Sequence, residues 1–260
     1  MYVSDHARRI LIPIHLLFAA VTAAWVYNGA HVPWPAAVLA VAWWTLLSGL
    51  GIAVGFHRYF SHLAFPAKPW ARKLMLGAGT LAGQGSPIFW VALHMGYHHP
   101  HSDERKDVHS PVHGIWSAYM GWMIRLRPDD VSLKYAVRLL RDPLIVTVHQ
   151  RYYTVFWLAY AAILGIAATA GLPYVMAVMT ALIVAVHQEC AVNVLNHSRW
   201  FGYVNYYTGD NSVNNVVTGL LCWGQGWHNN HHQLPGRANF GVRWFEYDPT
   251  RLLIPLVRAR

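Results

Sequence analysis

Two long stretches of this chain carry no charge at all. No Asp, Glu, Lys or Arg occurs from Ile10 to Phe56, or from Tyr152 to Val186. A helix that crosses a membrane needs about 20 mostly apolar residues, so each stretch is long enough for two crossings with a turn between them. Each has that turn at its middle: "NGAHVPWP" at 28–35 and "AGLP" at 170–173 supply the Gly and Pro that punctuate helices. The expected architecture is an all-α integral membrane protein with transmembrane helices near 10–28, 36–56, 152–170 and 173–194. A soluble bundle fits less well, because only 12% of the residues are charged, against about 25% in soluble domains. The first apolar run also exceeds the 7–15 residues of a signal-peptide core, so it reads as a span rather than a cleaved leader.

Basic residues orient the spans, since Lys and Arg collect on the cytoplasmic side. Arg8 and Arg9 precede the first span, the segment 57–151 holds twelve Lys or Arg, and the C-terminal tail holds six more. The two short turns hold none. Both termini and the central segment are therefore expected in the cytoplasm. The net charge of +9 has the same origin, so nucleic acid is not an expected partner. Two cysteines, Cys190 and Cys222, with no CxxC, exclude a disulfide framework and a cysteine-ligated metal site.

On this topology nine of the seventeen histidines fall on one side. His57 and His62 follow the second span, and His94, His98 and His99 lie in the central segment "LHMGYHHPHSD". His197 follows the fourth span, and His228, His231 and His232 lie in "HNNHH". Neutral imidazole is the commonest metal ligand. Nine candidates exceed the three or four ligands of one zinc, so the count fits two metals. Nitrogen ligands suit iron, copper, zinc or nickel alike. A metal transporter or a haem-carrying cytochrome would instead place paired histidines inside the spans.

Spacing separates the clusters. His228, His231 and His232 are three and four residues apart and share a helix face. His57 and His62 are five apart, about 140° around an α-helix, so they serve one centre only if the helix ends between them; otherwise they flank it. His94 and His98 share a face but His99 does not. A one-residue bulge of π type around Gly96 would bring all three together, a device found at functional sites. His15, His31 and His149 read as structural. His101, His109 and His113 read as surface residues or supports behind the ligands, and His187 as a support.

The motifs "GLGIAVGFHRYFSH", "WVALHMGYHH…HSD…HSPVHG", "HQECAVNVLNH" and "WGQGWHNNHH" followed by "RWFEYDPT" resemble the membrane-bound fatty acyl desaturases, especially bacterial acyl-CoA or acyl-lipid Δ9-type members. The resemblance runs from about Leu50 to the end. It implies that residues 1–260 form a single desaturase domain, with a cytosolic helical cap (57–151 and 195–260) over four membrane helices. It implies a dinuclear centre of two Fe2+ ions held by His57, His62, His94, His98, His99, His197, His228, His231 and His232. Asn193 would hold a water on one ion. The implied reaction uses O2 to introduce a cis double bond into an acyl-CoA, acyl-carrier or acyl-lipid chain. A related di-iron hydroxylase, acetylenase or decarboxylase is the alternative.

The resemblance further implies an external electron donor of ferredoxin, rubredoxin or cytochrome b5 type, since no redox domain is expected in this chain. Membrane lipid surrounds the stem, and the bacterial inner membrane is the implied location. Arg58, Lys68, Arg72 and Lys73, with Arg125 and Arg127, are candidates to meet a phosphate-bearing headgroup. Two departures stand out. The second box has the longer form HxxxHH, and Gln225 stands where many relatives have Glu, which would leave the metals one negative charge short.

Overall fold

The structure is a computed structural model that describes residues 3–259. Four helices are long and apolar enough to cross a membrane: Ala7–Tyr27, Trp34–Ser61, Tyr152–Ala170 and Leu172–Leu195. Their outward faces are apolar and uncovered, with Leu16, Val38, Leu158 and Ile166 all exposed, as a lipid-facing surface requires. The remaining helices are short and form a cap over one end of the stem, and no strand occurs among the described residues. The fold is all-α, as the charge-free stretches predict.

Proline and glycine set the element boundaries. Pro35, Pro69, Pro87, Pro143 and Pro173 each sit in the first turn of a helix, where the missing N–H costs nothing. Asp142 caps Pro143–Gln150 by accepting from Leu144 N at 2.9 Å and Ile145 N at 3.2 Å. Between the third and fourth spans the chain reverses at Gly171, whose φ of 109° favours glycine.

The second span differs from its expected end. It runs on to Ser61 instead of stopping near 56, and Thr45–Ser61 winds as π-helix. Polar residues do not end it because the cap, not water, surrounds them. His57 and Arg58 are both buried. This helix packs tightly on Pro69–Leu81 through glycine. A Cβ on Gly51 would lie 2.5 Å from Gly79 N and 2.6 Å from Ala78 C, both backbone atoms that cannot move aside. Gly51→Ala is therefore expected to destabilise the protein by about 1–3 kcal/mol, the usual cost of overpacking. Thermal unfolding in detergent, followed by size-exclusion chromatography, measures it.

Candidate metal centre

Nine histidine side chains meet between the stem and the cap, in two groups. His57, His62, His94, His99 and His231 form one, and His98, His197, His228 and His232 the other. Within each group one ring nitrogen per residue lies within 4.8 Å of all the rest. In the five-membered group, Nε2 of His57 is 2.8 Å from Nε2 of His231, His62 Nε2 is 2.8 Å from His94 Nε2, and His99 Nε2 is 3.0 Å from both His94 and His231. In the four-membered group the Nε2 separations are 2.8 Å for His197–His228 and 3.1 Å for His232–His98 and His232–His228.

Local winding explains how ligands five residues apart converge. The chain from Pro87–Leu93 continues as a π turn over His94–His98, and His99 N donates to His94 O. The bulge expected around Gly96 is present. The same i→i+5 step joins His62 N to His57 O at 3.3 Å, so the pair neither flanks the helix nor serves two centres. A π turn closes after five residues, which sets both pairs on one side. His228–Gln233 is a short helix with the i, i+3, i+4 set facing inward.

The two asparagines inside "HNNHH" face the other way and anchor it. Asn229 Oδ1 accepts from Asn205 N at 2.8 Å and Tyr206 N at 2.9 Å. Asn230 Nδ2 donates to Phe240 O at 3.0 Å and to Glu246 Oε2 at 2.8 Å. The "RWFEYDPT" segment thus works as a clamp on the third box.

The outer nitrogens reveal what the inner ones carry. His98 Nδ1 lies 2.9 Å from Asp107 Oδ2, His197 Nδ1 3.1 Å from Asp103 Oδ2, His228 Nδ1 3.2 Å from Gln225 O, and His232 Nδ1 2.7 Å from Asp210 Oδ2. Each partner accepts only, so each Nδ1 is the donor. A neutral imidazole that donates through Nδ1 presents a bare lone pair at Nε2. Four lone pairs at these separations repel unless a cation lies among them. Nitrogens about 2.05 Å from an ion, at right angles, stand about 2.9 Å apart, which matches the observed spacing. The donor set therefore fits a metal ion in each group, and the supporting carboxylates are the partners ligating histidines take.

Burial keeps most of these rings neutral. It pushes His62 and His98 down to about 3 from 6.5. It holds His94, His99, His228 and His231 well below 6.5, with neighbouring histidines adding to the effect. At His197 burial acts downward too, but the hydrogen bond and charge of Asp103, with Asp107 and Asp210, outweigh it and leave the ring raised. Burial alone would raise Asp107, yet His109 and His98 hold it far below the usual carboxylate range.

Several expectations need correction. Arg58 does not face a headgroup: its side chain is fully buried, with Nη2 3.0 Å from Asp248 Oδ2 and the guanidinium 3.6 Å above the Phe240 ring. Arg72 pairs with Asp142, and Lys68 Nζ donates to Leu256 O at 3.1 Å. Arg125 turns back onto Ser117 Oγ at 2.8 Å. His187 bonds His15 and Tyr119 rather than any of the nine histidines. His109 does stand behind the site, 2.9 Å from Asp107, while His101 pairs with exposed Glu104. The carboxylates of Asp103, Asp107 and Asp210 were not singled out by sequence. Gln225 touches the site directly, with Oε1 2.8 Å from His57 Nδ1.

A cavity opens beside the two groups. It is lined by His57, His94, His98 and His228, by Asn193, and by the apolar side chains of Trp90, Leu93, Trp122 and Val192. A second cavity shares Gln84 and Trp122 in its lining, which also includes Phe89, Met123, Leu126, Tyr153 and Asp5.

Comparison with known proteins agrees with this geometry. The family model for fatty acid desaturase matches residues 29–256. The sn-1 stearoyl-lipid 9-desaturase of Anabaena variabilis is 32% identical over 238 residues, covering 91% of this chain and 85% of that protein. The sn-2 palmitoyl-lipid 9-desaturase of a Nostoc strain is 32% identical, covering 87% and 79% respectively. The icosanoyl-CoA 5-desaturase of Limnanthes douglasii is 33% identical, covering 81% and 59%. With the histidine boxes assembled into two groups between four spans, the chain belongs to the fatty acid desaturase family.

Proposed function

We propose that this protein introduces a cis double bond into a fatty acyl chain held against two iron ions. The observation that carries the reading is the gathering of nine imidazole nitrogens into two groups beside an apolar cavity. His57, His62, His94, His99 and His231 would hold one ion, and His98, His197, His228 and His232 the other. Asn193, on the cavity wall, would orient a water at the four-nitrogen site.

What such a pair of ions supplies is oxidising power: O2, two electrons and two protons are consumed, two hydrogens leave adjacent methylenes, and two waters form. The protein's own task is positioning. A methylene offers no group for proton transfer, so no acid or base is needed at the chain. Phe89, Trp90 and Trp122 wall the two cavities and would keep water away from the acyl chain. The passage between Gln84 and Trp122 would set which carbons face the centre.

The carrier is best read as a membrane lipid, the substrate form in two of the relatives' names. Arg9 lies 5.1 Å from the ring of Tyr153, which lines the second cavity, so a headgroup phosphate would meet Arg9 there. Of the earlier candidates, Lys73, Arg125 and Arg127 stay exposed. Electrons would come from a ferredoxin, rubredoxin or cytochrome b5 docking on the cap, with the cap on the cytoplasmic side of a bacterial inner membrane.

Fatty-acid profiling of cells that express the protein tests the reading. A new monounsaturated acid, absent with empty vector, is expected. An acyl chain that gains oxygen instead assigns the hydroxylase alternative, and an unchanged profile under aerobic expression overturns the proposal.

A further inference from the structure

We infer that Glu189 positions the five-membered histidine group, acting through Gln225 to fix which nitrogen of His57 faces the centre. The inference rests on the reading of His57 as a ligand. Gln225 Nε2 donates to Glu189 Oε1 at 2.6 Å, and Gln225 Oε1 lies 2.8 Å from His57 Nδ1. A side-chain amide can turn either end toward a neighbour. A carboxylate settles the choice, because it accepts only and so takes the amide N–H. Gln225 then offers its oxygen to His57, and an oxygen acceptor requires the hydrogen on Nδ1. His57 Nε2 is left as a lone pair, pointed at His231 Nε2 2.8 Å away.

Two further observations single out this pair. Glu189 is the only Asp or Glu in the four spans, and an acid at that depth is expensive and marks function. It also lines the cavity beside the histidines. The two groups differ in their support as well. Asp103, Asp107 and Asp210 hydrogen-bond the four-membered group. Among the described residues no carboxylate hydrogen-bonds a histidine of the five-membered group, so the Gln225–Glu189 step is its link to negative charge.

A charge swap tests this in the purified full-length protein, loaded anaerobically with Fe2+. The readouts are iron per chain and the Mössbauer spectrum of the ferrous protein. Gln225→Glu would set two carboxyl groups against each other, competing for one proton in place of the fixed amide N–H. Glu189→Gln would leave the orientation of residue 225 unset. Each single variant is expected to weaken iron binding about 10–100-fold at one site, the usual effect of losing a partner behind a ligand, and to alter one ferrous signal. The double variant Glu189→Gln/Gln225→Glu restores an ordered chain: residue 225 accepts from His57 Nδ1 and from the new amide. It should recover two irons and both signals. Wild-type binding in both single variants, or a double variant no better than Gln225→Glu, overturns the relay. Wild-type protein that loads fewer than two irons overturns the ligand reading beneath it instead.

Discussion

His231→Ala is expected to abolish product formation while the chain still folds and inserts. Its ring is the hub of the five-membered group. Its Nε2 is 2.8 Å from that of His57 and 3.0 Å from that of His99, and its side chain is fully buried. Its Nδ1 has no hydrogen-bond partner among the described residues, so the substitution strands no partner there. What is lost is a nitrogen donor, together with ring contact on Phe240, whose centroid is 4.3 Å away. Removal of a partner behind a ligand already costs 10–100-fold, so loss of the ligand itself should lower turnover by more than about 100-fold. Iron per chain should fall from two toward one. Membrane fractionation, iron analysis and fatty-acid profiling check the three parts separately. Near-normal product from this variant would remove His231 from the centre.

The four-membered group is built differently, and that difference was hidden in the sequence. Its supporting carboxylates come from Asp103, Asp107 and Asp210, which lie in loops and share no period with the histidines they hold. Nothing short of the fold brings Asp210 to His232. The spans, by contrast, were legible because charge is excluded from lipid whatever the tertiary packing. The π turn at His94–His98 was legible too, since three ligands at i, i+4, i+5 cannot share an α-helical face. The equivalent turn at His57–His62 was not, because two ligands five apart have more than one solution. Packing on Pro69–Leu81 through Gly51 and Gly55 helps settle it. Glu189 leaves a readable signal, a lone acid in an apolar span three residues past the charge-free stretch that ends at Val186.

Arg58 was misread for the opposite reason: a basic residue at the end of a span looks like flanking charge, and its partner is 190 residues away. The structure makes it a lock between stem and tail. Arg58 Nη2 and Asp248 Oδ2 are 3.0 Å apart with both side chains at 0% exposure. Arg58 Nε donates to Ala238 O at 3.0 Å and Nη1 to Ala53 O at 2.8 Å. Asp248 in turn accepts from Phe240 N at 2.9 Å and Thr250 N at 3.0 Å. Truncating one partner leaves a buried charge without its counter-ion, which costs about 3–5 kcal/mol. Arg58→Ala should therefore lower the unfolding temperature more than any surface substitution in the cap, and Asp248→Asn should do so by less, since the amide keeps one of the two accepting oxygens. The tail carries Phe240, which packs on both His57 and His231, so Arg58→Ala should also loosen iron binding. Arg58→Lys keeps the charge but loses the planar fork that reaches three acceptors at once, and should fall between wild type and alanine. Thermal unfolding of the four proteins in one detergent decides the order. If Arg58 instead met a headgroup, its loss would weaken substrate binding and leave stability unchanged.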